Sequence, residues 1–297
     1  MCKQLEISRA AYYKWLRREI PKQELENIKL ADLIKKYDQS FHHILGYRRM
    51  TSWINHFNHT NYGEKRIYGI MRKLKIQALI RKKKKRYAKS KPEVIAENIL
   101  NRDFYSAMPN EKWVTDVTEF KIPGKDRKLY LSAILDLYDR YPVAYVISNR
   151  NNNNLVFETF DQAMANNPGA KPLFHSDRGY QYTSKIFRKK LRDHGIEQSM
   201  SRVGRCIDNG SIEGFWGTIK SEMYQMYKIT DEASLRFAIM DYIRFYAEER
   251  PQNRYQCKTP LEVRSEALLK KNSISYPIPV NTRAEKYKKN SLRKNNL

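Results

Sequence analysis

Near residue 110 the apolar residues of this chain stop recurring at helical intervals and begin to alternate, and one packed layer cannot serve both periods. Before that point three segments repeat with a helical period: Leu25, Ile28, Leu30, Ile34 and Tyr37; then Tyr47, Met50, Trp53, Ile54 and Phe57; then Ile67, Ile70, Met71, Leu74 and Ile76. After it, residues 112–122 alternate as a strand does. The chain is therefore expected to hold an all-α module over 21–80 and an α/β core over 107–265. Three smaller pieces complete it: a partial helix-turn-helix over 1–20 whose second helix starts on Ser8, a basic linker over 81–106 and a basic, loosely ordered tail over 266–297.

Within the core, Gly124-Lys125-Asp126 turns the first strand back into a second over 129–137, and 143–148 reads as a third. The asparagine run 151–154 caps a helix over 155–165. A short strand (172–175), a helix (184–193), a fifth strand (196–201) and helices over 212–227 and 231–248 follow. A three-stranded meander followed by alternating helices and strands predicts a mixed five-stranded sheet with helices on both faces.

Charge separates the same regions. The net charge is +25. Lys and Arg exceed Asp and Glu by 15 over residues 1–106, by 4 over 107–265 and by 6 over 266–297. A nearly balanced core between basic arms fits an enzyme that handles a polyanion. The helical module carries Arg48, Arg49, Lys65, Arg66, Arg72 and Lys73, and Arg81, Lys82, Lys83, Lys84, Lys85 and Arg86 form a single-sign block. Such a block reads as a solvated linker or as a phosphate contact. Cys2, Cys206 and Cys257 form no CxxC pair, so neither a disulfide framework nor a zinc ribbon is expected. No apolar run reaches membrane-spanning length and no leader follows Met1, so a soluble protein of a reducing compartment is expected.

Three acids stand in three separate motifs: Asp116 in Trp113-Val114-Thr115-Asp116, Asp177 in His175-Ser176-Asp177-Arg178-Gly179, and Glu213 at the end of Asp208-Asn209-Gly210-Ser211-Ile212-Glu213. Singly, Asp177 reads equally as a turn residue and Glu213 as a partner of the helix dipole. Asp116 is harder to explain as structural, since strands are depleted in Asp. If the first and fourth strands are neighbours, Asp116 and Asp177 share one crevice and the helix opened by Glu213 adds the third acid. Three carboxylates so close would repel. Two divalent ions about 4 Å apart would neutralise them and clamp the attacking and leaving oxygens of a phosphodiester. Mg2+ (or Mn2+) suits such oxygen ligands. Lys220, two turns beyond Glu213, lies on the same helix face and is a candidate DNA-phosphate contact, while Phe215, Ile219 and Met223 are expected against the sheet. Asp136 and Asp208 fit better as strand-end and turn residues, and His175 is a candidate for orienting Asp177 or the substrate. His42, His43, His56 and His59 lack zinc-finger spacing and read as surface or packing residues.

At these motifs the sequence resembles the insertion-sequence transposases whose catalytic core is shared with retroviral integrases, the DDE group with a ribonuclease-H-like fold. The matching pieces are residues 112–119, residues 175–182, and Asp208-Asn209 through Glu213, Phe215 and Lys220. Flanking matches include Ser8-Arg9 to Tyr13, Gly46-Tyr47-Arg48-Arg49, Arg72 to Arg86, Asn101-Arg102-Asp103-Phe104 and Thr259-Pro260. The chain departs from the family at Tyr246-Ala247 and Arg250-Pro251-Gln252, where Tyr-Asn and Arg-Pro-His are usual. The resemblance implies metal-dependent cleavage at element ends and attack of the freed 3′-hydroxyl on another phosphodiester, with Asp116, Asp177 and Glu213 as metal ligands. It also implies double-stranded DNA as partner (terminal inverted repeats and target), a homo-oligomer, and a bacterial, cytoplasmic, nucleoid-associated protein. In many relatives this frame is the downstream one, joined by frameshifting to an upstream frame, so the upstream-frame protein is a further expected partner.

Two other readings stay open on sequence. One is an inactive or regulatory DNA-binding protein of the same fold that needs the upstream frame. The other is a ribonuclease-H-type nuclease that hydrolyses without joining strands.

Overall fold

A computed structural model describes residues 2, 7–79, 96–202, 206–269 and 274–278. They fall into two compact units, one ending at Leu79 and the other starting at Ile80.

The first unit is helical: α1 (Arg9–Leu16), α2 (Lys22–Ser40), α3 (Tyr47–Phe57) and α4 (Glu64–Lys73). Ser8 caps α1, its hydroxyl accepting from the Ala11 amide at 3.1 Å, which satisfies one donor the helix cannot pair internally. The core is Leu30 and Ile34 of α2, Met50, Trp53 and Ile54 of α3, and Ile67 and Met71 of α4. The apolar stripe of α2 is shorter than its sequence predicts, since Leu25 and Ile28 are 45% and 50% exposed. The start of α2 meets α4 through polar groups instead: Arg66 donates to Asn27 Oδ1 at 2.8 Å and to Glu26 Oε2 at 3.0 Å.

The second unit holds β1 (Lys112–Lys121), β2 (Lys128–Asp136), β3 (Pro142–Ser148), α5 (Asn153–Asn166), β4 (Leu173–Ser176), α6 (Tyr180–Thr183), α7 (Lys185–Asp193), β5 (Gln198–Met200), α8 (Gly210–Met226), α9 (Glu232–Glu248) and α10 (Pro260–Leu269). The strands form one sheet in the order β3-β2-β1-β4-β5. The first three pair antiparallel, while β4 runs parallel to β1 and to β5. The β1–β2 hairpin closes with Lys125 N donating to Ile122 O, and Gly124 takes φ +73°, a conformation that strains any residue with a Cβ. This mixed sheet, covered on both sides, is the ribonuclease-H-like fold.

Alternation along β1 sorts the two layers. Trp113 and Val117 face a core with Phe160 of α5, Phe174 of β4 and Phe187 of α7, the three phenylalanine rings lying about one another at 5.7 Å between centroids. Asp116, Thr118 and Phe120 point the other way, toward α8. Burying each large apolar side chain contributes roughly 1.5–3 kcal/mol, so this aromatic layer fixes the sheet beneath the acids.

Beyond residue 266 the described chain packs more closely than its composition implies. Tyr276 is buried with its ring 5.0 Å from that of Tyr255, and Tyr138 donates its hydroxyl proton to Ile274 O at 2.9 Å. The basic block Arg81–Arg86, the rest of the linker up to residue 95, and the tail beyond 278 lie outside the described residues. Among the described residues no helix is long and apolar enough to cross a membrane.

Candidate active site

Asp116 and Asp177 are brought level by strand register. Parallel pairing of β1 with β4 sets Trp113 against Phe174 and Val114 against His175. Continuing that offset by two residues sets Asp116 against Asp177, where β4 has just ended. Asp177 Oδ1 accepts from the Gly179 amide at 2.8 Å. A Cβ on Gly179 would stand 3.0 Å from that oxygen, which accounts for the glycine of the Ser-Asp-Arg-Gly motif.

Helix α8 is laid along the acid-bearing face of β1 by a series of side-chain contacts in chain order. Asn209 Nδ2 donates to Thr115 O at 3.1 Å, and Trp216 Nε1 donates to Asp116 Oδ2 at 3.0 Å. Lys220 Nζ donates to Thr118 Oγ1 at 2.5 Å and lies 5.3 Å from the centre of the Phe120 ring. Tyr224 donates to Lys121 O at 2.8 Å. Glu213, Trp216 and Lys220, spaced three and four residues apart, therefore share the face that meets Asp116, Thr118 and Phe120. Phe215, on the neighbouring stripe, packs against Tyr246 of α9 with ring centres 4.7 Å apart.

The electrostatics tie the three acids together. Burial first, then the negative charge of Asp177, and to a smaller extent Glu213, push the Asp116 carboxyl up to about 7 against the opposing N–H groups of Trp216 and Val117. Burial also raises Asp177, opposed by the Gly179 amide, and raises Glu213. Yet among the described residues no three His, Cys, Asp or Glu side chains are gathered closely enough to hold a metal ion. Of the three acids, Glu213 is the most open to solvent. The donor set nonetheless fits a hard divalent cation: every acid offers carboxylate oxygen, and the cost of ionising Asp116 beside Asp177 is what such a cation relieves.

The other candidates separate from this centre. His175 is fully buried between two hydroxyls, with Nδ1 2.8 Å from Ser199 Oγ and Nε2 3.1 Å from Ser201 Oγ. Burial lowers it to about 4 against the pull of Asp208, so it is neutral and joins β4 to the end of β5 rather than orienting Asp177. Asp208 is buried under Arg202, Arg102 and Asn98, and Arg202 first, then Arg102, holds its carboxyl well below the usual range. Asp136 accepts from Arg264, Trp113 and the Asn110 amide. Both serve the fold.

In the helical unit Arg48, Arg72 and Lys73 are exposed and Arg49 is half-buried. Arg48 also lies 3.7 Å from Glu64 and over the Tyr47 ring. Sequence reasoning missed Trp216, which reads as one more apolar helix residue. Its spacing from Glu213 and Lys220 was the available signal.

Comparison with known families agrees with this architecture. The integrase core domain model matches residues 106–206 and a second integrase core domain model matches 194–260, while an HTH-like domain model matches 24–84. The fold and its core thus define an integrase-type protein with an HTH-like region. The chain is 37% identical over 268 residues to the putative transposase InsK for insertion sequence element IS150 of Escherichia coli K12, covering 89% of this chain and 92% of that one. It is 30% identical to the transposase for insertion sequence element IS904 of Lactococcus lactis, over 82% and 97% of the two chains. Among solved structures it is similar to the HTLV-2 integrase catalytic core domain in complex with magnesium, with TM-score 0.42 and 21% identity over 52% of this chain and 96% of that one. The chain belongs to the insertion-sequence transposases, a family of proteins of DNA transposition.

Proposed function

We propose that this transposase cuts DNA at the ends of an insertion sequence and joins the freed 3′-hydroxyl to another phosphodiester, with Asp116, Asp177 and Glu213 as the ligands of two Mg2+ or Mn2+ ions. The observation that supports the reading is the pairing of two of the acids: strand register sets Asp116 level with Asp177, and the charges of Asp177 and, less strongly, Glu213 both reach the Asp116 carboxyl. When bound, the ions would supply Lewis acidity and an activated oxygen nucleophile. The chain's own part is to hold the carboxylates ionised and oriented. Asp177 is fixed by the Gly179 amide, Asp116 is carried on a strand buried on its far side, and Glu213 is delivered by α8. Lys220, beside Thr118, would neutralise a phosphate entering along β1.

The helical unit and the basic block that follows it, with Arg48, Arg49, Arg72, Lys73 and Arg81 to Arg86, would hold terminal inverted repeats through backbone phosphates. The segment boundaries 20, 80, 106 and 265 are taken as those of the working parts. Pairing two ends calls for a homo-oligomer, in a bacterial cytoplasm at the nucleoid, with the upstream-frame protein as a further partner.

The test is a labelled duplex carrying the inverted repeats that flank the coding sequence, incubated with the full chain and Mg2+ or Mn2+, with and without the upstream-frame protein. Nicking and strand joining are expected, and Asp116→Asn should slow both by about 1,000-fold, the equivalent of about 4 kcal/mol of transition-state stabilisation. Equal rates for the variant and the parent would remove Asp116 from the chemistry. Salt-sensitive binding with no nicking under any condition would favour a regulatory protein.

A further inference from the structure

Trp216 is buried at 6% exposure, and its indole N–H, which can only donate, ends on Asp116 Oδ2 at 3.0 Å. The same helix carries Glu213 one turn earlier, and Asn209 at its start holds the β1 backbone at Thr115, one residue before Asp116. A carboxylate on a strand can rotate about χ2, and an acid pushed by Asp177 has reason to turn away. A fixed donor on one of its oxygens opposes both.

We propose that Trp216 is a positioning residue for the metal centre: its N–H pins one oxygen of Asp116 so that the other is presented to a divalent cation, and α8 thereby orients one acid while delivering another. The inference rests on the proposed role of Asp116 and goes beyond it, because it assigns the strength of cation binding to an indole N–H, which can donate to a ligand but cannot itself be one. Groups that orient ligating carboxylates typically alter metal affinity by about 10- to 100-fold when removed. Ring packing alone predicts no such effect. In Trp216→Phe the substituted phenyl ring would keep the contact with Phe215, whose ring centre lies 5.2 Å from that of the indole.

The experiment uses the full chain with Mg2+ and Mn2+ alone as probes. Trp216→Phe should fold, by circular dichroism, and bind end DNA without metal as the parent does, while Mn2+ affinity by calorimetry falls about 10-fold or more. In the unsubstituted protein, the assigned indole 15N–1H signal of Trp216 should shift on Mg2+ titration, which needs no variant to be stable. Asp116→Asn is the control for the underlying reading. If it abolishes Mn2+ binding while Trp216→Phe leaves affinity unchanged and the indole signal does not move, the positioning role is overturned and the acid assignment stands. If Asp116→Asn leaves Mn2+ binding intact, the reading of Asp116 as a ligand fails, and the role of Trp216 fails with it.

Discussion

The indole of Trp216 reaches across from α8 to donate a hydrogen bond to Asp116 on β1 at 3.0 Å, so the most strained acid of the centre is held by the helix that carries Glu213. Strain of this kind has a measurable sign. A carboxyl raised to about 7 in the fold, from 3.8, favours the unfolded state as pH climbs through that interval, because the unfolded chain gives up its proton first. A shift of that size corresponds to up to about 4 kcal/mol, and access of water to the half-buried group reduces it to about 2 kcal/mol. Without divalent cations, Asp116→Asn should therefore raise stability at pH 8 and leave it nearly unchanged at pH 4. Added Mg2+ should stabilise the parent and not the variant. Urea titrations with chelator and with Mg2+ check this, and a variant less stable than the parent at pH 8 without metal would contradict it.

His175 gives the opposite pH dependence. Burial lowers its imidazole from 6.5 to about 4, so the unfolded chain binds a proton that the folded chain refuses. Stability is fully present above 6.5 and is lost as pH falls toward 4, by up to about 3 kcal/mol. His175→Gln should be somewhat weaker at pH 7 but flatter through that window. Thermal unfolding followed at half-unit pH steps distinguishes the two slopes, and parallel curves would show that His175 does not titrate between them.

Residues whose partners lie on the next strand or turn were legible in the sequence. The alternation over residues 112–122 is β1 because each layer needs every second side chain, and the asparagine run does cap α5, with Asn152 accepting from the Leu155 amide at 3.1 Å. The mixed five-stranded sheet also followed, since a meander followed by crossover helices leaves few arrangements, whereas its order, with β1 beside β4, entered the sequence reading only as a condition. What stayed hidden is long-range and polar. Asp208 meets Arg102 across 106 residues, and Arg264 meets Asp136 across 128, and no local period announces such pairs. The four-residue α6 is too short for a period, and α10 spreads its apolar residues around the helix instead of along one stripe.

Arg250, two residues before Gln252, where the chain departs from the family, belongs to a structural pair. Arg250 Nε and Nη2 each donate to the carboxylate of Glu222 at 3.0 Å, and Tyr242 donates to Glu222 Oε2 at 2.7 Å. The pair joins α8 to the end of α9, and both side chains are buried or nearly so. Arg250→Met leaves a buried carboxylate without its counter-charge and should cost about 3–5 kcal/mol. Adding Glu222→Gln to that variant should recover part of the loss. Chemical denaturation of the two single variants and the double variant measures the coupling, and additive losses would show that the pair does not act as a unit.

DNA binding by the helical unit is expected to be electrostatic in a countable way. Arg72 and Lys73 form the last turn of α4 and are exposed, so each can reach a backbone phosphate. Every phosphate neutralised releases condensed counterions, and the slope of log affinity against log salt changes by about 0.9 per contact. Replacing both residues with Gln should lower the magnitude of that slope by about 1.8 and weaken binding to end and unrelated duplexes alike, since phosphate contacts carry no base information. Fluorescence anisotropy at four or five salt concentrations gives the slope directly. An unchanged slope would place the contacts elsewhere. A loss confined to the end duplex would mean that these side chains read bases instead of the backbone.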